Sequence, residues 1–92
     1  MMSAVIVDAA KDDENTDKQI LRDGMIAELD AVNLYEQMAN KAKNADVKKL
    51  LLDIAKEEKT HAGEFEALLL KLDKEQAAEN KAGAKEAADI TD

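Results

Sequence analysis

The stretch "VKKLLLDIAKEEKTHAGEFEALLLKL", residues 47–72, sets large apolar side chains in alternating steps of four and three: Val47, Leu51, Ile54, then Phe65, Leu68 and Leu72. That period draws a single stripe along an α-helix, the kind of seam that meets a partner helix. Two members of the seam break the rule. Glu58 and His61, the latter the only histidine in the chain, occupy the two steps between Ile54 and Phe65.

Working outward, the same pattern predicts a helix from about Val47 to about Gln76, with Lys71 and Lys74 suited to its negative pole. Upstream, "KNAD" (43–46) interrupts the periodicity and offers Asn44 or Asp46 as its N-cap. Before the break, Leu21, Met25, Val32, Tyr35, Ala39 and Ala42 form a second seam, which predicts a helix from about Lys18 to about Ala42 capped by Thr16 or Asp17. Two long helices on a short connection make an antiparallel hairpin. The expected organisation is all-α: a flexible acidic arm over 1–16, the hairpin over 17–76, and a short helix, linker or flexible tail over 77–92.

Composition narrows the function classes. With 92 residues the chain is one small domain, of a size that often needs a metal, disulfides or a partner to be stable. It has no cysteine, so disulfides, thiolate zinc sites and iron–sulfur clusters are excluded and a cytoplasmic setting is the default. A net charge of −8 with one tyrosine and one phenylalanine argues against nucleic-acid binding. No apolar run is long enough for a membrane span, and "MMSAVIVDAAKDDEN" lacks the basic flank and apolar length of a signal peptide.

The first seam has its own polar intruder, Glu28, between Met25 and Val32. Inward-facing ionisable groups are expensive unless a compensating charge neutralises them. A divalent cation does so, and carboxylates with one imidazole suit iron, manganese or zinc better than calcium. Residues at i and i+3 share a helical face, so Glu58 and His61 can hold one metal from one helix. Four-helix di-metal proteins take one Glu from each of two helices and one Glu-x-x-His from each of two others. This chain supplies half of that set, so a two-fold dimer, which would also hide the apolar stripes, completes it. Tyr35, on the Glu28 seam, is placed to hydrogen-bond a ligand from behind. Glu36, Glu57 and Glu64 read as solvated charges, and Met25 and Met38 as core fillers. Two other readings of the same residues stand beside this one: an adaptor hairpin whose polar seam residues set register, and a different di-metal enzyme such as a rubrerythrin-like peroxidase.

"ILRDGMIAELDAVNLYEQMA" (20–39) followed by "LLLDIAKEEKTHAGEFEALLLKLDKEQ" (50–76) resembles the encapsulated ferritins, with closest likeness to the ferritin-like domain fused to archaeal encapsulin shells. The family pattern of a Glu, a Tyr seven residues on, and Glu-x-x-His on the next helix is matched by Glu28, Tyr35, Glu58 and His61. The resemblance implies a half-ferritin whose dimers rebuild a four-helix bundle around a di-iron (Fe2+/Fe3+) centre, with Glu28, Glu58 and His61 as catalytic iron ligands and Tyr35 behind them. Other divalent metals would substitute in vitro. It further implies a ferroxidase using dioxygen, assembly into a ring-shaped decamer, and delivery of iron for mineral storage in the lumen of an encapsulin nanocompartment. Two departures stand out. Where some members carry acids beside the ligand Glu to draw metal in, this chain has Ala27, leaving Asp30 as the candidate metal-uptake residue. "KAGAKEAADITD" also carries none of the short apolar shell-targeting peptide found in free-standing members.

Overall fold

The structure, a computed structural model, describes residues 14–92. Most of the expected acidic arm therefore lies outside the described residues. Among the described residues the fold is all-α, with α1 at Glu14–Lys41, α2 at Ala45–Leu72 and α3 at Lys74–Thr91. α1 starts four residues before Lys18, and neither Thr16 nor Asp17 caps it. Thr16 is instead buried inside the first turn.

The turn into α2 forms as its residues dictate. The Ala42 N–H still reaches Met38 O at 3.0 Å, and then Asn44 leaves helical geometry at φ −76°, ψ 129°. Its Oδ1 accepts from the N–H groups of Asp46 (2.8 Å) and Val47 (3.1 Å), satisfying two of the donors that open a helix. Asp46 falls in the first turn, so Asn44 is the cap.

Packing between α1 and α2 is narrower than the seams suggest. The buried apolar side chains are Leu21, Val32 and Ala39 from α1 against Ala55, Ala62 and Leu69 from α2. On α2 this contact line lies roughly 70° round the helix from the Val47–Leu72 seam, at 100° per residue. Alanines at 55 and 62 let the two backbones approach, so the bulkier Ile54, Phe65 and Leu68 swing to one flank. The face expected to be core is thus the border of the core. On that front flank Ile20, Leu50 and Leu68 are each about half exposed or more. The opposite flank leaves Ile26, Leu29 and Leu52 half exposed and holds a cavity of about 410 Å³ lined in part by Arg22, Met25, Leu70 and Gln76.

α2 ends at Leu72, short of the expected Gln76, and the remainder is a full helix. One residue makes the break. Asp73, at φ −119° and ψ 90°, donates its backbone N–H to Leu69 O at 2.8 Å and so closes α2. Its Oδ1 accepts the Gln76 N–H at 2.9 Å and opens α3, while Oδ2 takes the Arg22 guanidinium at 2.8 Å. The Gln76 N–H holds the Asp73 carboxyl below the usual aspartate range; burial opposes this, and Arg22 and Lys18 reinforce it. α3 buries none of its residues. The radius of gyration is 16.4 Å, against about 12 Å for a compact chain of this length, and the extents are 46 × 43 × 19 Å. The described residues form a thin plate with exposed apolar side chains on both flanks.

Candidate metal centre

The hairpin brings Glu28 of α1 level with His61 of α2. His61 Nδ1 stands 3.5 Å from Glu28 Oε2 and 3.6 Å from Glu58 Oε2. One donor atom from each of the three residues lies within 4.8 Å of the others, and no other such group of histidine and carboxylate side chains occurs among the described residues. The two nitrogen–oxygen distances exceed those of an ordinary hydrogen bond. They are close to the spacing of roughly 3.0–3.4 Å that neighbouring donors adopt when each is about 2.1 Å from one ion. Two carboxylates and an imidazole are also a donor set that suits iron, manganese or zinc.

Exposure follows from the rotation of α2. The Glu28 and Glu58 side chains are 21 % and 19 % exposed and His61 is 45 % exposed, all on the front flank. Beside them a cavity of about 340 Å³ is lined by Leu21, Glu28, His61, Glu64, Phe65 and Leu68. Glu64, read from sequence as a solvated charge, is exposed yet lines this cavity. Phe65 belongs to the site's surroundings in a way periodicity does not reveal. Its ring edge fills the space a side chain at Gly24 would need: a Cβ there would stand 2.6 Å from Cε1 and 2.7 Å from Cζ.

The other two candidates lie apart from the cluster. Tyr35 is half-buried on α1, about 10 Å along the axis from Glu28 at 1.5 Å per residue. Asp30 is two positions from Glu28, which puts it on the far side of α1, where it lines a separate hollow with Asn33, Leu34 and Gln37. Across the back flank Lys59 meets Glu36 at 3.3 Å, an exposed pair of small energetic weight.

Comparison with known proteins adds four likenesses. A sequence profile of the rubrerythrin family matches residues 19–91. A ferritin-like–encapsulin shell fusion protein of Pyrococcus furiosus is 58 % identical over 73 residues, covering 79 % of this chain and 21 % of that protein. An encapsulin nanocompartment cargo protein, EncC of Myxococcus xanthus, is 46 % identical over 55 residues, covering 60 % of this chain and 42 % of the relative. The chain thus spans less than half the length of the curated relatives it matches. The crystal structure of an encapsulated ferritin domain from Pyrococcus furiosus superposes with a TM-score of 0.87 at 47 % identity, covering 99 % of this chain and 93 % of that one.

Proposed function

The chain belongs to the rubrerythrin family and, within it, to the encapsulated ferritins, and from that premise we propose that it is a ferroxidase acting at a di-iron centre shared by two copies. The observation that carries this reading is the convergence of Glu28, Glu58 and His61 on one point of an open apolar flank. Three donors are too few to hold two metals. A second hairpin seated on that flank would bring three more and cover the exposed leucines in the same step.

Iron is the substrate. Two Fe(II), one dioxygen and two protons go to two Fe(III) and one hydrogen peroxide. The chain's contribution is electrostatic. Two carboxylates per copy, each about four-fifths removed from water, stabilise a trivalent ion more than a divalent one and so favour loss of the electron. His61 adds a neutral donor without further charge. In the assembled form Tyr35 would hydrogen-bond a ligand from behind, and Asp30 would serve metal uptake from the outer face of α1. The relatives named for encapsulin systems support a place in the lumen of an encapsulin nanocompartment, where the oxidised iron is stored. Dimers joined through their remaining flanks would build the ring-shaped decamer.

Diffraction from iron-soaked crystals at the iron absorption edge tests the centre directly: two peaks on a subunit two-fold support it. His61→Ala should abolish rapid Fe(II) oxidation while leaving helicity intact, and an unchanged rate would sink the assignment. The rubrerythrin match also favours a peroxide-consuming di-metal enzyme as a second reading. Multiple turnovers of added peroxide with a reductant would select that reading over a ferroxidase.

A further inference from the structure

A mid-helix glycine costs about 1 kcal/mol relative to alanine, and α1 carries one, Gly24, a single turn before Glu28. Its φ is not positive, so no turn geometry requires it. What requires it is the aromatic ring from the other helix. Three ring carbons of Phe65 lie 2.6–2.9 Å from where the Cβ would be, whereas ordinary contact begins at 3.4 Å. Any other residue at 24 would force the ring back by about 0.8 Å or push the helices apart.

The position of this contact gives it a role. Gly24 is four residues before Glu28, and Phe65 is four residues after His61, so each stacks directly beside a ligand on its own helix. Phe65 and His61 line the same cavity. We propose that the Gly24–Phe65 seat is a positioning device for the metal centre. By seating a ring in the notch left by a missing side chain, it fixes the separation of α1 and α2 one turn from the ligands. It also braces the wall against which His61 and Glu28 converge. Phe65 and Gly24 act through the ligands and touch no metal themselves. This rests on the metal-centre reading above and adds residues to it.

Ligand geometry tolerates only about 0.5 Å of error, so the two helices need take up only part of a clash of about 0.8 Å for the ligands to feel it. The test measures Co(II) binding by the assembled protein, with visible ligand-field spectra as the report on geometry and circular dichroism as the report on folding. Gly24→Ala should weaken Co(II) binding roughly 10-fold or more, the scale of losing a residue that supports a ligand. It should alter the spectrum while helicity holds or rises. Phe65→Leu alone, which empties the notch, should weaken binding and broaden the spectrum as well. Gly24→Ala/Phe65→Leu, which refills the notch with a methyl group, should recover most of the affinity. If either single variant binds Co(II) with the parent's affinity and spectrum, or if the two effects simply add, the seat has no positioning role. Failure of the parent to bind Co(II) at all would overturn the metal centre itself, which distinguishes the two failures.

Discussion

Replacing Glu28 by glutamine preserves the shape of the side chain and removes one charge, and it should act in opposite directions on metal-free and metal-loaded protein. The Glu28 and Glu58 oxygens lie within 4.8 Å of each other. Two unit charges at that distance repel by about 0.9 kcal/mol at the dielectric of water and about 3.5 kcal/mol at an effective dielectric of 20. With each side chain about one-fifth exposed, a value near 1 kcal/mol is the conservative choice. For a chain of this size that corresponds to a rise in Tm of about 4–8 °C. With metal bound the sign reverses, because an amide oxygen is a weaker donor than a carboxylate. A hundredfold loss of affinity would remove about 2.8 kcal/mol of ligand-linked stabilisation. The assay is thermal denaturation at fixed protein concentration and pH 8, where an imidazole is ordinarily neutral, once with EDTA and once with excess Mn(II). Glu28→Gln should melt several degrees above the parent in EDTA and lose most of the increment that Mn(II) confers. A lower Tm in EDTA, or an undiminished metal increment, would refute the idea that these carboxylates face each other across a cation site.

Leu50 is 60 % exposed on the front flank, eight residues from Glu58, so Leu50→Glu leaves every candidate ligand in place while charging the surface proposed to receive a second copy. Sedimentation should show a folded monomer, and Fe(II) oxidation should fall to background. Rapid oxidation by that monomer would mean that one hairpin suffices. Asp73 predicts a pH dependence at the other end of the molecule. Its folded pKa is depressed, chiefly by the Gln76 N–H. Its stabilisation is therefore complete above the ordinary aspartate value of about 4 and is lost as pH falls through the folded value. Ellipticity at 222 nm should drop in that acid window for the parent and change less steeply for Asp73→Asn, with coincident curves counting against the cap.

What could be read from the chain and what could not divide along physical lines. The two helices and the Asn44 cap follow from local periodicity and one short-range hydrogen-bond pattern, and both are written within a few residues. Glu28, Glu58 and His61 stand out because a charged residue in an apolar period is anomalous wherever the partner lies. The break at Asp73 escaped because apolar and helix-favouring residues run on both sides of it. The local signal was an N-cap aspartate with glutamine three residues later, in "DKEQ". Its other support, Arg22, is 51 residues away in sequence. The rotation of α2 escaped for another reason. Periodicity marks a stripe but not which edge touches which neighbour, and Ala55 and Ala62 carry little apolar weight in any such reading. The Gly24–Phe65 contact joins two helices, and no spacing within one helix reports it.

That rotation also bears on how the chain could carry the three proposed ligands before any metal binds. Set on the contact line of a two-helix pair, Glu28, Glu58 and His61 would be desolvated in the folded monomer, at a cost of several kcal/mol per unpaired charge. Set on the border, they keep part of their hydration. Among the described residues no buried side-chain polar atom is left without a hydrogen-bond partner. The buried line of Ala39, Ala55, Ala62, Val32, Leu21 and Leu69 contains none of the three candidate ligands. In the proposed dimer, full desolvation of the Glu28 and Glu58 carboxylates would come when a second copy covers the front flank. On this reading the metal's charge matters most at that docking step. The seam that a second copy is expected to cover lies, in the single hairpin, along the border of the core rather than along its contact line. On the proposed reading two hairpins and their metals would meet there.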